Sequence, residues 1–292
     1  MPRVLVNGPA SWNTLIRLPA LPEPRSQTLF ASGHHDGLGG TSAGKAVTLA
    51  ALDVDVTLRT ALGDDREGSL VREALAQPHL SLVVQPVERT ERHVNLMADD
   101  GSRVSLYLEL PEPEPGPVPS LDGLDAAVLD LADHSRPLLA AARAAGVPVW
   151  CDVHDDDGVG AYPRDFVAAA DVLLVSAAGL TDPRAYLSEA VARGCRLAVC
   201  TDGAAGALAL DADGWIEVPA APAGDVVDTN GAGDAFLAGL LSGVLAGLPV
   251  EGALARASAA GAIAVTTRAL GAPTATVTTL DSLATTVVVR RV

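Results

Sequence analysis

Short apolar runs alternate with stretches of helical periodicity along most of the chain. Val4–Val6, Val54–Thr60, Ala126–Leu131, Val147–Cys151, Val172–Val175 and Leu197–Thr201 are strand candidates built around apolar residues. Between and after them, Ala43–Ala51, Ser69–Ala76, Pro137–Ala145, Pro183–Ala192 and the Ala-rich segments Asp234–Ala246 and Val250–Thr267 carry helical spacing. This alternation predicts a parallel sheet with helices on both faces. A hairpin is expected over Leu208–Trp215, turning at Ala212-Asp213-Gly214. Residues Glu88–Leu110 break the pattern. They alternate polar and apolar positions around Asp99-Asp100-Gly101, a hairpin signal. They end in Pro111-Glu112-Pro113-Glu114-Pro115-Gly116-Pro117, which can be neither helix nor central strand. An antiparallel piece spliced into an α/β domain suggests a flap over a site, and the Pro-rich, strand-like Asn13–Asp36 is its expected partner.

Composition narrows the classes. Apolar residues make up 49% of 292 positions, enough for a sizeable core in one domain. The net charge of −16 argues against nucleic-acid and anionic-membrane partners. No apolar run approaches the roughly 20 residues a spanning helix needs, and Met1–Val6 reads as a first strand, so a cytoplasmic location is expected. Cys151, Cys195 and Cys200 sit in apolar stretches without metal spacing and read as reduced core thiols.

The chemistry concentrates in Asp228-Thr229-Asn230-Gly231-Ala232-Gly233-Asp234, just ahead of a helix whose apolar face is Phe236, Leu237, Leu240, Leu241 and Val244. Glycines there let a ligand approach the main chain, and amides at a helix start favour negative charge. A carboxylate at Asp234 beside such an anion site is suited to taking a proton from a hydroxyl while a phosphoryl group is held. Taken alone, Gly-x-Gly-Asp also fits a tight turn with an N-cap. Read through Gly239, however, the segment resembles the second signature of the ribokinase-like (PfkB) sugar kinase family. The resemblance implies a three-layer αβα fold, with Asp234 as catalytic base, Asn230, Gly231, Ala232 and Gly233 as anion hole, and Asp228 near a monovalent-cation (K⁺) site.

Gly39 to Lys45 fits the start of a P-loop, but Ala46 stands where magnesium needs a hydroxyl, and the motif lies far from the first strand. The segment instead resembles the family's first signature: Gly39-Gly40, a small-residue helix, an apolar strand, then Gly63-Asp64-Asp65-Arg66-Glu67-Gly68. The resemblance thus extends over essentially the whole sequence as one domain, 1–292, with a lid from about 13–36 and 88–110. It implies substrate contacts at Asn13, Gly39, Gly40 and Gly44, and nucleotide contacts at Thr201, Gly203, Gly206, Asn230, Gly231, Gly233 and Gly271. ATP and Mg²⁺ are the implied cofactors.

Departures from the family pattern fall on positions that read substrate. Asn13 stands where the family has Asp, so the pocket can donate as well as accept hydrogen bonds. Gly44 replaces an Asn. Lys45 reads as a solvated helix lysine, with reach to an anionic substrate group as the alternative. Ser176-Ala177-Ala178-Gly179 replaces the Asn-x-x-Glu that helps organise magnesium. Asp152 matches a family Asp, and His154–Asp157 reads as a polar loop; His34, His35 and Asp36 are open to sugar contacts. With 3% aromatic residues, of which Trp12, Phe30 and Tyr107 fall near the lid, a small carbohydrate is favoured over a nucleoside. A non-catalytic sugar or nucleotide sensor is the rival from another class. Exposed lid strands suit a homodimer.

Overall fold

The computed structural model describes residues 1–292. Ten strands form the central sheet: β1 (Arg3–Asn7), β4 (Asp55–Leu62), β5 (Leu80–Pro86), β8 (Ala126–Leu129), β9 (Val149–Asp152), β10 (Val172–Ser176), β11 (Leu197–Thr201), β12 (Ala207–Asp211), β13 (Gly214–Val218) and β14 (Arg290–Arg291). Their order is β14-β13-β12-β11-β10-β9-β8-β1-β4-β5. From β5 to β11 every pairing is parallel; β12, β13 and β14 extend the far edge antiparallel. Chain direction across the sheet reverses beside β1, whose neighbours β4 and β8 lead to opposite edges. In open α/β sheets ligands gather outside the strand C-termini at such a reversal.

Alternate residues of one strand feed two different cores. Val4 and Val6 join the layer containing α1 (Thr41–Ala51), α2 (Arg66–Ala74), α6 (Ala232–Leu245) and α7 (Val250–Ala264). Leu5 joins the opposite layer with α3 (Arg136–Ala145), α4 (Arg164–Ala169) and α5 (Pro183–Ala192). The period-2 alternation of a buried strand thus yields the expected three-layer αβα arrangement. α8 (Val277–Ala284) packs Leu280 into a smaller cluster with α7.

The flap is a separate four-stranded sheet of β2 (Ser11–Leu18), β3 (Gly33–Gly39), β6 (Arg92–Ala98) and β7 (Arg103–Glu109), ordered β3-β2-β6-β7. β6 and β7 form the expected hairpin, and β2 joins it in parallel. The strand partner of that hairpin begins at Ser11, and only the two ends of the 13–36 segment are strand. Residues 19–32 carry no strand, consistent with Pro19, Pro22 and Pro24 in that stretch. The Pro111–Pro117 run is likewise free of helix and strand. All three cysteines are buried and unpaired. No helix is long and apolar enough to cross a membrane.

Candidate active site

Four elements converge on a single buried ammonium. Lys45 lies on α1 with its Nζ 2.9 Å from Asp130 Oδ1, 3.0 Å from Asp234 Oδ1 and 3.2 Å from Asp152 Oδ2. Its side chain is fully buried, which corrects the reading of a solvated helix lysine. The reason is visible along α1, where every residue from Ser42 to Ala50 is buried. Such a helix has no wet face for a lysine to occupy. The charge attraction of the three carboxylates outweighs any hydrogen bonding in holding the ammonium. Asp130 follows β8, Asp152 ends β9 and Asp234 opens α6, so the parallel sheet and one helix start bring the carboxylates together. Ser42 Oγ donates to Asp130 Oδ2 at 2.5 Å, fixing that carboxylate from the far side.

Three carboxylates around one ammonium leave the cluster net negative, and the strain falls on Asp234. Burial pushes its pKa up, Lys45 pulls it down and Asp152 pushes it up again, for a net rise from 3.8 to about 6. Burial also opposes ionisation of Asp152, but His154, Lys45 and the His154 amide outweigh it and hold Asp152 below its ordinary value. For Lys45 itself, desolvation pulls down and the three carboxylates together pull up by more, so it stays charged. A carboxylate with a pKa near 6 is ionised at neutral pH yet a stronger base than a free one, as a general base requires.

Asp234 sits in the first turn of α6, whose N-cap Gly231 has φ 78° and no side-chain cap. A Cβ on Gly231 would lie 2.7 Å from the Gly271 amide nitrogen, so no other residue fits. The amides of Gly231, Gly233 and Asp234 donate to no backbone acceptor, and the space beside the Gly233 Cα is open. Two of the expected anion-hole amides are already used: Asn230 N donates to Asp228 Oδ1 at 2.9 Å and Ala232 N to the Thr229 carbonyl at 3.3 Å. The available anion site is therefore Gly231 and Gly233, with the Asp234 amide beside them.

Several other expected residues take roles different from ligand contact. A Cβ on Gly44 would stand 2.8 Å from Asp234 Oδ2, so this glycine makes room for the base. Gly271 (φ 69°) makes its close approach to α1, where a Cβ would meet Thr48 Oγ1 at 2.5 Å and the Gly44 carbonyl at 2.6 Å; adenine is not needed to explain it. The following amide, Ala272 N, donates to Thr48 Oγ1 at 2.9 Å and ties the loop down. Gly39 and Gly40 do border Asn13 and Pro9 too tightly for any side chain. Asn13 Oδ1 accepts from His93 N at 3.0 Å, and Ser11 Oγ nearby is buried without a partner, as befits a wall awaiting a hydroxyl ligand. Asp36 accepts from Thr14 Oγ1 at the exposed edge of the flap. Phe30 is solvent-exposed and Tyr107 stacks on His93 at 3.9 Å.

On the nucleotide side, Thr201 ends β11 and a single turn Gly203–Ala205 leads to Gly206, whose φ of 95° and contact with the Val218 carbonyl exclude a side chain. Asp228 does not fit a monovalent cation. One of its carboxylate oxygens takes the Asn230 amide and the other faces Arg17 Nη2 at 3.3 Å. Arg17 also donates to the Val227 carbonyl at 2.5 Å, so β2 of the flap is bonded directly to the loop before α6. The turn Ala177–Gly179 after β10 offers no carboxylate, and no group of three His, Cys, Asp or Glu side chains is arranged to hold a metal. The side chains present thus provide no carboxylate cage for Mg²⁺. Asp130 and Arg17 had not stood out in the sequence. Asp130 carries a usable signal, an acid at the end of an apolar strand, whereas Arg17 carries none.

A buried carboxylate beside free helix-start amides, at the strand C-termini of an αβα sheet and under a small β flap, is an arrangement suited to phosphoryl transfer onto a hydroxyl. Comparison with known proteins agrees. Residues 130–277 match the pfkB family carbohydrate kinases. The chain is 35% identical over 280 residues to acarbose 7(IV)-phosphotransferase of Actinoplanes sp., covering 90% of this chain and 92% of that one. It is 34% identical over 283 residues to ATP-dependent ribose-1-phosphate kinase of Halopiger xanaduensis, again covering 90% and 92%. The structure of a microbiome-derived acarbose kinase superposes with a TM-score of 0.83 at 30% identity, covering 97% of this chain and 99% of that one. The chain belongs to the pfkB family of carbohydrate kinases and is an ATP-dependent sugar phosphotransferase.

Proposed function

We propose that Asp234 is the general base and that Lys45 keeps it ionised. The acceptor hydroxyl gives its proton to Asp234 as its oxygen attacks the γ-phosphorus of ATP. The new O–P bond forms, the bridging O–P bond breaks and ADP leaves. The amides of Gly231 and Gly233 donate to the phosphoryl oxygens in transit, the electrostatic help that dominates such transfers. Mg²⁺ enters as part of the Mg·ATP substrate, held by phosphate and water. The β2-β3-β6-β7 sheet acts as a lid that excludes water, and its bond through Arg17 to the Val227–Asp228 loop links its position to the anion site. The observation that carries this reading is the buried Asp234 at a helix start without a side-chain cap, with the unbonded Gly231 and Gly233 amides just ahead of it.

The acceptor is a small carbohydrate. Asn13, the Gly39-Gly40 turn and the unpartnered Ser11 hydroxyl supply short polar groups suited to sugar hydroxyls. A screen of ATP-dependent ADP release over pentoses, hexoses and nucleosides tests this: turnover with a sugar is expected, and turnover confined to nucleosides contradicts it. The outer strand β7, with Val104, Leu106 and Leu108 exposed, suits pairing with a second copy, which light scattering would detect.

A further inference from the structure

A cavity of about 560 Å³ is lined by Arg59 of β4, Gln85 of β5 and Tyr107 of β7. Its wall includes Pro9, whose carbonyl abuts Gly40, and Leu131, the residue after Asp130. Its floor is Arg59, on β4. Arg59 is 7% exposed, yet no carboxylate lies within ion-pairing distance of it, in a chain with 36 acidic residues. Its one protein partner is Asn7, whose Oδ1 accepts from Nη1 at 2.8 Å. Asn7 is itself held, donating from Nδ2 to Ser135 Oγ at 2.8 Å, so the guanidinium is fixed in place. Nε and Nη2 make no bond within the protein.

Two further polar atoms around the cavity are buried and unpartnered: Gln85 Oε1 and His134 Nε2. Gln85 lies on β5 opposite Ala61, two residues beyond Arg59 on β4 and therefore on the same sheet face. Burial, then the Arg59 charge, lowers the His134 pKa to about 4, so its imidazole is neutral at physiological pH and can donate from Nε2. With no ion pair and a single bond to Asn7, the guanidinium keeps donors free for an anion entering the cavity. The acidic residues around the cavity do not take them. Glu91 is occupied by His93 at 2.8 Å and Asp133 by Arg136 at 2.9 Å. Glu112 and Glu114 are exposed on the Pro-rich run, where solvent screens them.

We infer that Arg59, with Gln85 and His134 beside it, forms a subsite for an anionic group, a phosphate or carboxylate, carried by the sugar acceptor. The planar fork of Arg59 matches either group through its two free donors. This inference rests on the kinase reading above, and it adds that the preferred acceptor is an acidic sugar.

Two matched pairs test it: ribose against ribose 1-phosphate, and glucose against glucuronic acid, each assayed for kcat/KM with wild-type enzyme and with Arg59→Gln. The anionic member of at least one pair is expected to be preferred, and which pair responds separates phosphate from carboxylate. Arg59→Gln should shrink that preference about 10- to 100-fold, the scale of a charged hydrogen bond. Equal or better use of the neutral member in both pairs, or a preference unmoved by Arg59→Gln, overturns the subsite while leaving the kinase reading intact. If none of the four sugars is turned over, or the variant does not fold, thermal stabilisation of the wild-type chain by inorganic phosphate decides. The rise in Tm must be larger for wild type than for Gln85→Leu, which leaves the helix-start amides of α6 untouched; a smaller rise in that variant supports the subsite, and an equal rise, or no rise in wild type, overturns it.

Discussion

Replacing Lys45 by Met removes the charge and keeps most of the side chain's volume. In the intact protein Nζ is 3.0 Å from Asp234 Oδ1. At an effective dielectric of about 20, that attraction is on the order of 5 kcal/mol, an upper bound because water and relaxation absorb part of it. A rise in the Asp234 pKa of about one to three units from its value near 6 is the realistic range. Asp234 accepts a proton only when ionised, so kcat/KM falls as pH drops through its pKa. In wild-type enzyme the acid limb should lie near pH 6. In Lys45→Met it should move up by about one to three pH units, with activity recovering as pH is raised. The variant also leaves Asp130 and Asp152 buried without a cation, a loss of about 3–5 kcal/mol, so folded fraction must be measured at each pH. An acid limb that stays near pH 6 while activity falls equally at every pH would refute the assigned role and leave Lys45 a purely structural residue.

Other consequences can be checked separately. Asp234 has a folded pKa of about 6 against 3.8, so its contribution to stability is present below about pH 4 and is lost as pH rises through 6. That loss is on the order of 3 kcal/mol. Asp234→Asn should therefore raise stability at pH 7 by about 1–3 kcal/mol in urea unfolding, with the gain shrinking towards pH 4; a clear loss of stability at pH 7 contradicts the charge balance described for the cluster. Gly44→Ala drives a methyl to 2.8 Å from Asp234 Oδ2 and should lower kcat by about 10- to 100-fold with less change in KM. Unchanged kcat would show the base has room to spare. Arg17→Met cuts the bonds from the flap to Val227 and Asp228; calorimetry should register weaker binding of a non-hydrolysable ATP analogue, and equal affinity would detach the flap from the anion site.

Much of the fold was legible because buried parallel strands announce themselves as short apolar runs and the long helices as Ala-rich periodic segments. The missed elements lack those marks. β5 has Gln85 and Pro86 in its last positions, α4 spans six residues, and α8 is rich in threonine, a weak helix former stabilised here by the Thr276–Thr279 capping box. At the site, Asp234 and its glycines were legible because base and amides share one local segment. The Lys45 cluster was not, since its three acids lie 85 or more positions along the chain and meet only through strand order. One clue was available: Lys45 is the only charged residue of α1, set among Ala43, Gly44, Ala46 and Val47.

The central claim is that Asp234 takes the proton from the acceptor hydroxyl. Sugar-dependent ADP release by wild-type and Asp234→Asn enzyme, compared at pH 7.5 with both shown to be folded, tests it most directly. A fall in kcat of roughly 10²- to 10⁴-fold is expected for Asp234→Asn. Turnover by Asp234→Asn at the wild-type rate would contradict it.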